Sequence, residues 1–375
     1  MDQANENHPI VLITGAAGNI GRSVAAALAD RYRIVGLDVE AADADYPILE
    51  MDITDDRSVA ATLASFRERY GDKIAAVLHL AAFFDFTGEE KPAYQAVNVD
   101  GSRRLVAALR DFDVGAFVYS GTMLVHKAGE AGQTIDEDRE IAPGWAYPRS
   151  KARAEAAIGE VRGDMPVIFL HLAGLYDERS SVPTFAHQMA RIYERDLQSH
   201  FYSGDLCAGQ AMIHRDDMVD AMVRAVDRRN RFSAETTILI GEPETLGYGE
   251  VQDRLGRLIH GEAAWATLRI PAPLAAAGAW AQNRAEPVVP EPIDRGEPFI
   301  KPFMTRLASD HYQLDISRAH TLLKWEPQHR LADVLPAMVA AMKDDPAAWY
   351  AANGITPPAS LAHSNRVEAD AGPGR

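Results

Sequence analysis

The chain has 375 residues, 47% hydrophobic and 25% charged, which is the composition of a soluble globular protein of one large or two modest domains. A net charge of −16 argues against a nucleic-acid partner, because phosphates would be repelled. The single cysteine, Cys207, excludes an internal disulfide and a thiolate metal cluster and fits a reducing, cytoplasmic setting.

The opening MDQANENHP is polar and does not read as a signal peptide. The apolar run Ile10–Thr14 reads as a buried strand. Gly15, Gly18 and Gly21 follow at three-residue spacing, and the alanine-rich run Ser23–Asp30 reads as a helix. Strand, glycine turn and helix in this order form a dinucleotide-binding arrangement. Gly15 permits the tight turn, Gly18 lets backbone approach a pyrophosphate, and Gly21 lets helix pack against strand. Unpaired N–H groups at the helix start face the phosphates.

A second strand, Tyr32–Asp38, ends on an acid. A carboxylate there accepts from the adenosine ribose hydroxyls and repels a 2′-phosphate, so the expected cofactor is NAD rather than NADP. Arg22 dissents, since an arginine can pair with a phosphate; its plainer reading is a solvated first-turn side chain.

Ile48–Ile53 reads as a third strand whose Asp52 and Ile53 end where an adenine would lie. Asp52 can accept from the adenine amino group, or cap the helix expected over Asp55–Tyr70, or both. The nearly all-apolar run Ala75–Ala82 reads as a central parallel strand. Its small terminal residues Ala81 and Ala82 leave room for a ligand beyond the strand end. Phe83, Phe84 and Phe86 follow, as a substrate-pocket wall or as a cover for the sheet end.

Lys91–Arg110 has helical spacing, with Asn98 inside it, a poor mid-helix residue that needs a reason. Ala116–Thr122 reads as a fifth strand ending in the hydroxyls of Ser120 and Thr122, and Met165–Leu172 as a sixth. Strands alternating with helices predict an α/β fold with a doubly wound parallel sheet, a Rossmann arrangement. Between the fifth and sixth strands, Tyr147 and Lys151 stand four apart in a helical segment, so they share a face. An ammonium beside a phenol lowers the phenol pKa. A phenol so tuned can exchange a proton with an alcohol while hydride moves to or from nicotinamide. Ser120 or Thr122 would hold the reacting oxygen.

Beyond Leu175 the pattern loosens. Helices are expected over Val182–Asp196, His214–Arg228, Tyr248–His260, Leu314–Leu323 and Leu331–Lys343, and strands over Thr237–Gly241 and Ala266–Ile270. Pro271–Ala281 is too short to span a bilayer, so no stable membrane insertion is expected. Pro287–Pro302 is proline-rich and reads as an irregular cover for a cleft, and the chain from Thr356 reads as a disordered tail. The expected organisation is a cofactor-binding domain over 9–175, a smaller interleaved substrate-binding α/β region over 176–350, and a tail over 356–375.

These motifs together resemble the extended short-chain dehydrogenase/reductases, the NAD-dependent epimerase/dehydratase group. The resemblance is carried by Thr14-Gly15-Ala16-Ala17-Gly18-Asn19-Ile20-Gly21, Asp38, Asp52-Ile53, His79-Leu80-Ala81-Ala82 and Val97-Asn98-Val99-Asp100-Gly101. It continues through Tyr119-Ser120-Gly121-Thr122, Tyr147-Pro148-Arg149-Ser150-Lys151, Ile213-His214-Arg215-Asp216-Asp217 and Lys324-Trp325-Glu326-Pro327, and spans about residues 9–345. It implies catalytic roles for Tyr147, Lys151, Thr122 and Asn98. Lys151 would also hold the nicotinamide ribose. The implied cofactor contacts are Gly15, Ala17, Gly18, Asn19, Ile20, Gly21, Asp38, Asp52, Ile53, Leu80, Ala81, Ala82, Asn98, Ser120, Tyr147 and Lys151.

Three departures bear on substrate. Met123-Leu124 stand where sugar-nucleotide 4,6-dehydratases carry an acidic pair. Ala173-Gly174 stand where epimerases present an Asn, and Gln210 where they often place an Arg. With Phe83, Phe84, Phe86, Met123 and Leu124 as substrate-binding candidates, the expected substrate is a small, apolar secondary alcohol or ketone. A nucleotide-sugar epimerase with retained NAD is the alternative, and a non-catalytic dinucleotide sensor a third reading. The expected partner is this small molecule, with a homodimer as the candidate assembly and no metal.

Overall fold

The computed structural model describes residues 8–40, 42–232, 234–270, 304, 307–358 and 361. Its centre is a sheet of seven strands: β1 (Ile10–Thr14), β2 (Arg33–Asp38), β3 (Ile48–Glu50), β4 (Ala76–His79), β5 (Phe117–Thr122), β6 (Val167–Leu172) and one later strand, Glu235–Ile240. The spatial order runs from the Glu235–Ile240 strand through β6, β5, β4, β1 and β2 to β3, and every pairing is parallel. This is the expected Rossmann arrangement. β1 and β4 are buried along their whole length, which is why they read as nearly continuous apolar runs, each ending on one polar residue, rather than alternating ones.

Successive side chains on each strand feed opposite layers. Val11, Ile13, Leu78 and Ile168 enter one core, with α1 (Asn19–Leu28) and the later helix Arg215–Asp227. Leu12, Val77, Phe117 and Val167 enter the other. There they meet α2 (Asp56–Tyr70), α3 (Ser102–Leu109) and α4 (Ala146–Val161).

Beyond β6 the chain makes β7 (Gly174–Tyr176), α5 (Pro183–Tyr193), β8 (Met212–His214), α6 (Arg215–Asp227), β9 (Glu235–Ile240) and α7 (Tyr248–His260). It then makes α8 (Ser317–Leu323), α9 (Leu331–Asp344) and α10 (Pro346–Ala352). A third core gathers α5, α7, α9 and α10 around Tyr176 and Met212. β9 returns to the edge of the main sheet, and α6 packs on α1, so the sheet layer draws on chain well past residue 175.

Several boundaries move for local reasons. The first helix starts at Asn19, four residues early, with Gly18 as its N-cap. β3 stops at Glu50, because Asp52 turns the chain: its Oδ1 accepts from Thr54 N and Thr54 Oγ1, at 2.8 and 2.7 Å. Asp55, not Asp52, caps α2, accepting from Arg57 N. The segment expected as one helix over Lys91–Arg110 opens as a π-helix, Tyr94–Gly101, before α3. α10 carried no recognised sequence signal. The apolar run 271–281 and the proline-rich 287–302 lie outside the described residues, as do 359–360 and 362–375 of the expected tail. No described helix is long and apolar enough to cross a membrane.

Candidate active site

The glycine turn closes against β4. Gly15 adopts φ +68°, and a Cβ on it would stand 2.9 Å from Ala81 N, so only glycine fits. A Cβ on Gly21 would stand 2.4 Å from Gly15 O. Thr14 ties the turn to the neighbouring strand end: Leu80 N and Ala81 N both donate to its Oγ1 at 3.2 Å. The hydroxyl in turn donates to His79 Nδ1 at 2.7 Å. His79 Nε2 donates to Ser102 Oγ at 2.8 Å, and Ser102 donates to Asn98 O at 2.6 Å. Burial pushes His79 down to about 3, and Lys151 adds to the push, so the ring stays neutral as this chain of donors requires.

Asp38 aims its carboxylate at the turn. Ala17 N donates to Oδ2 and Val39 N to Oδ1, both at 2.8 Å. Arg22 is tied to backbone, donating to Ala17 O at 2.9 Å and Asp43 O at 2.8 Å. The start of α1 has no side-chain cap and no acidic residue in its first turn. Its N–H groups are therefore free of competing side-chain acceptors. An uncapped helix start, a cradle that only glycine fits and a carboxylate at the end of β2 suit a dinucleotide.

Asn98 explains itself here. Its Oδ1 accepts from Phe83 N at 2.7 Å, and its Nδ2 donates to Phe83 O at 3.0 Å and Ser150 Oγ at 2.9 Å. Ser150 Oγ donates to Tyr147 O at 2.7 Å. One buried amide thus joins the loop after β4 to the helix carrying Tyr147 and Lys151.

Tyr147 and Lys151 lie on α4 beside Ser120, Thr122, Met123 and Leu124 at the wall of a cavity of about 790 Å³. Lys151 Nζ donates to Ser120 O at 2.7 Å and lies 6.0 Å from the Tyr147 ring centre. Burial draws the lysine down to about 8, against the pull of Glu155. The expected lowering of the phenol is not found: burial pushes Tyr147 up, and Tyr94 and Glu155 push the same way. Thr122 Oγ1 accepts from Leu124 N at 3.3 Å, which leaves its hydrogen to donate into the cavity.

Phe84, Phe86, Met123 and Leu124 line the cavity, as do Leu80, Ala82 and Ile20. Phe83 does not line it: its backbone is clamped by Asn98 and its ring packs edge-on against Tyr94, centroids 5.1 Å apart. Asn98, Asp52 and Ile53 do not line it either. Ala173, Gly174 and Gln210 do. Sequence reasoning missed Trp145, whose ring sits 5.6 Å from both Tyr147 and Phe86; an aromatic two residues before Tyr147 was its signal. It also missed Gln188, Tyr202, Tyr248 and Gln252 in the lining, which come from segments with no motif.

Comparison with known proteins bears on the fold and the family. A search of curated protein sequences finds no match. Among solved structures, UDP-glucuronic acid 4-epimerase from Bacillus cereus, in complex with UDP-glucuronic acid and NAD, matches with TM-score 0.63 at 20% identity, over 89% of this chain and 99% of its own. A short-chain dehydrogenase/reductase superfamily protein from Agrobacterium tumefaciens with bound NAD matches with TM-score 0.64 at 18% identity, over 95% and 99%. MoeE5 in complex with UDP-glucose and NAD matches with TM-score 0.63 at 19% identity, over 89% and 98%. The family model for the NAD dependent epimerase/dehydratase family matches residues 11–241, and the chain belongs to that family.

Proposed function

We propose that this protein moves hydride between NAD and the carbon of an apolar secondary alcohol or ketone, with Tyr147 as general acid and base. The observation that supports the reading is that Tyr147, Thr122 and Lys151 all line one cavity, whose lining also includes Phe84, Phe86, Trp145, Met123 and Leu124. Bound NAD supplies the hydride acceptor. Gly15, Ala17, Gly18, Asn19, Ile20 and Gly21 would cradle its pyrophosphate, and Asp38 its adenosine ribose, with Asp52 and Ile53 toward the adenine. Leu80, Ala81, Ala82, Ser120 and Lys151 would flank the nicotinamide end. Thr122 donates to the substrate oxygen and orients it toward the Tyr147 hydroxyl, which takes the alcohol proton or returns it. Asn98 holds the Phe83 loop and α4 in register, so the aromatic wall stays beside the phenol.

Asp38 predicts cofactor choice. Both of its oxygens already accept backbone N–H groups, which holds the carboxylate at the end of β2, and a charge beside the adenosine ribose would repel a 2′-phosphate. NAD should therefore bind more tightly than NADP, by calorimetric titration of each, and Asp38→Ala should narrow the gap. Equal or reversed affinities would refute this.

The apolar wall sets substrate class. Burying hydrocarbon there contributes about 25 cal/mol per Å² removed from water. A diphosphate, by contrast, needs cations or aimed N–H groups. Among the described lining residues the cations are Lys151 and Arg191, and Asp310 adds an opposing charge. Uridine-diphosphate hexoses should accordingly bind the NAD complex poorly, while hydrophobic secondary alcohols or ketones turn over. The epimerase reading draws on the nucleotide-sugar ligands of the solved neighbours. It shares the first hydride step with the same tyrosine. Micromolar binding of a uridine-diphosphate hexose would promote it.

A further inference from the structure

Glu155 follows Lys151 by four residues and Tyr147 by eight on α4, so the three side chains share a face. Its carboxylate meets His171, which in turn meets His126, two rings that are 1% and 0% exposed. His171 Nε2 lies 3.1 Å from both Glu155 oxygens. His171 Nδ1 lies 2.8 Å from His126 Nε2, and His126 Nδ1 lies 3.0 Å from Arg139 O. Gly121, between Ser120 and Thr122, leaves the space: a Cβ there would stand 2.8 Å from Glu155 Oε1 and 2.9 Å from His171 Cδ2.

These contacts fix a proton count. Each of the three links, Arg139 O to His126, His126 to His171, and His171 to Glu155, requires one hydrogen. A carbonyl and a carboxylate supply none, and two neutral imidazoles supply two. The chain therefore holds a third proton. Burial, then His171, pushes His126 down to about 4, which favours a neutral His126 ring.

Lys151 is 2% exposed, and a buried ammonium needs a counter-charge. We propose that Glu155, held by the proton-bearing His171–His126 pair, is a positioning residue whose carboxylate, shared between His171 and Lys151, supplies negative charge to Lys151 behind the active site. The groups facing this carboxylate are Lys151 and Tyr147 from α4, Tyr119 from β5, and His171 from β6. Asp136 faces His126 from the adjoining loop. The role of Lys151 rests on the function proposed above; the proton count does not.

The test uses the full chain in two measurements. Long-range ¹H–¹⁵N spectra of ¹⁵N-histidine protein at pH 7.5, assigned with His126→Gln and His171→Gln, should show one ring of the pair carrying hydrogens on both nitrogens. Glu155→Gln should remove that signal. Two neutral rings in the unsubstituted protein would overturn the proton-bearing histidine pair and with it the ionised Glu155, whether or not any variant folds. NAD titrations from pH 6 to 9.5 should show affinity falling as pH rises through about 8, where Lys151 loses its proton. In Glu155→Gln the fall should begin about one pH unit lower, making NAD binding at pH 8 about fivefold weaker, and Glu155→Asp should restore part of it. An unmoved midpoint would overturn the counter-charge role. Flat affinity in the unsubstituted protein, with the histidine signals as expected, would instead refute the ribose role of Lys151.

Discussion

Tyr147→Phe should lower turnover on the true substrate by about 10²–10⁴-fold while leaving NAD affinity nearly unchanged. The substitution removes one hydroxyl and keeps the ring. That ring is held by contacts that do not involve oxygen: Phe84 edge-on at 4.8 Å between centroids, and Trp145 at 5.6 Å. Burial also raises this phenol, so the protein by itself disfavours the phenolate. A positive charge beside it is then needed to make the proton mobile at neutral pH, and Lys151, on the same helix face, carries one. Lys151→Ala should therefore damage both turnover and NAD binding. A substrate screen following absorbance of reduced nicotinamide, paired with NAD titration of each variant, separates the two. Near-wild-type turnover in Tyr147→Phe would dismiss Tyr147 as the acid/base.

Gly21→Ala should cost the second largest effect, for a steric rather than a chemical reason. The new methyl would stand 2.4 Å from Gly15 O and 2.9 Å from Ala16 Cα, both backbone atoms that cannot rotate away. Either α1 lifts from the turn or the turn opens. Overpacking of this kind costs about 1–3 kcal/mol of stability. Lifting α1 also withdraws its uncapped N–H groups from the pyrophosphate position, so NAD affinity should fall at least about tenfold. By contrast, Gly132→Ala meets no atom within 4 Å and tests backbone strain alone, at φ +85°. Thermal unfolding and NAD titration of both variants check the pair. If Gly21→Ala retained wild-type melting and affinity, close packing of helix on strand would not be what Gly21 is for.

The sequence by itself determined what short-range physics can carry. A fully buried parallel strand must be an apolar run, a turn at φ +68° must be glycine, and Tyr147 and Lys151 four apart on a helix must share a face. Each signal lies within a few residues, so the sheet, the cofactor cradle, Asp38 and the Tyr147–Lys151 pair are legible in the chain alone. The tertiary structure decided what depends on side chains from distant segments meeting. Phe83 looks like its aromatic neighbours in sequence, yet the Asn98 amide clamps its backbone and turns its ring onto Tyr94. Asp52 looks like a helix cap, yet Thr54 takes its carboxylate and Asp55 caps instead. The spacing implies a phenol lowered by Lys151, but burial, which spacing does not encode, dominates and raises it. His126, Glu155 and His171 stand on a loop, a helix and a strand, and no motif links them. Only the packing of α4 against β5 and β6 brings them within hydrogen-bond reach, because desolvated polar groups must find partners wherever the fold supplies them.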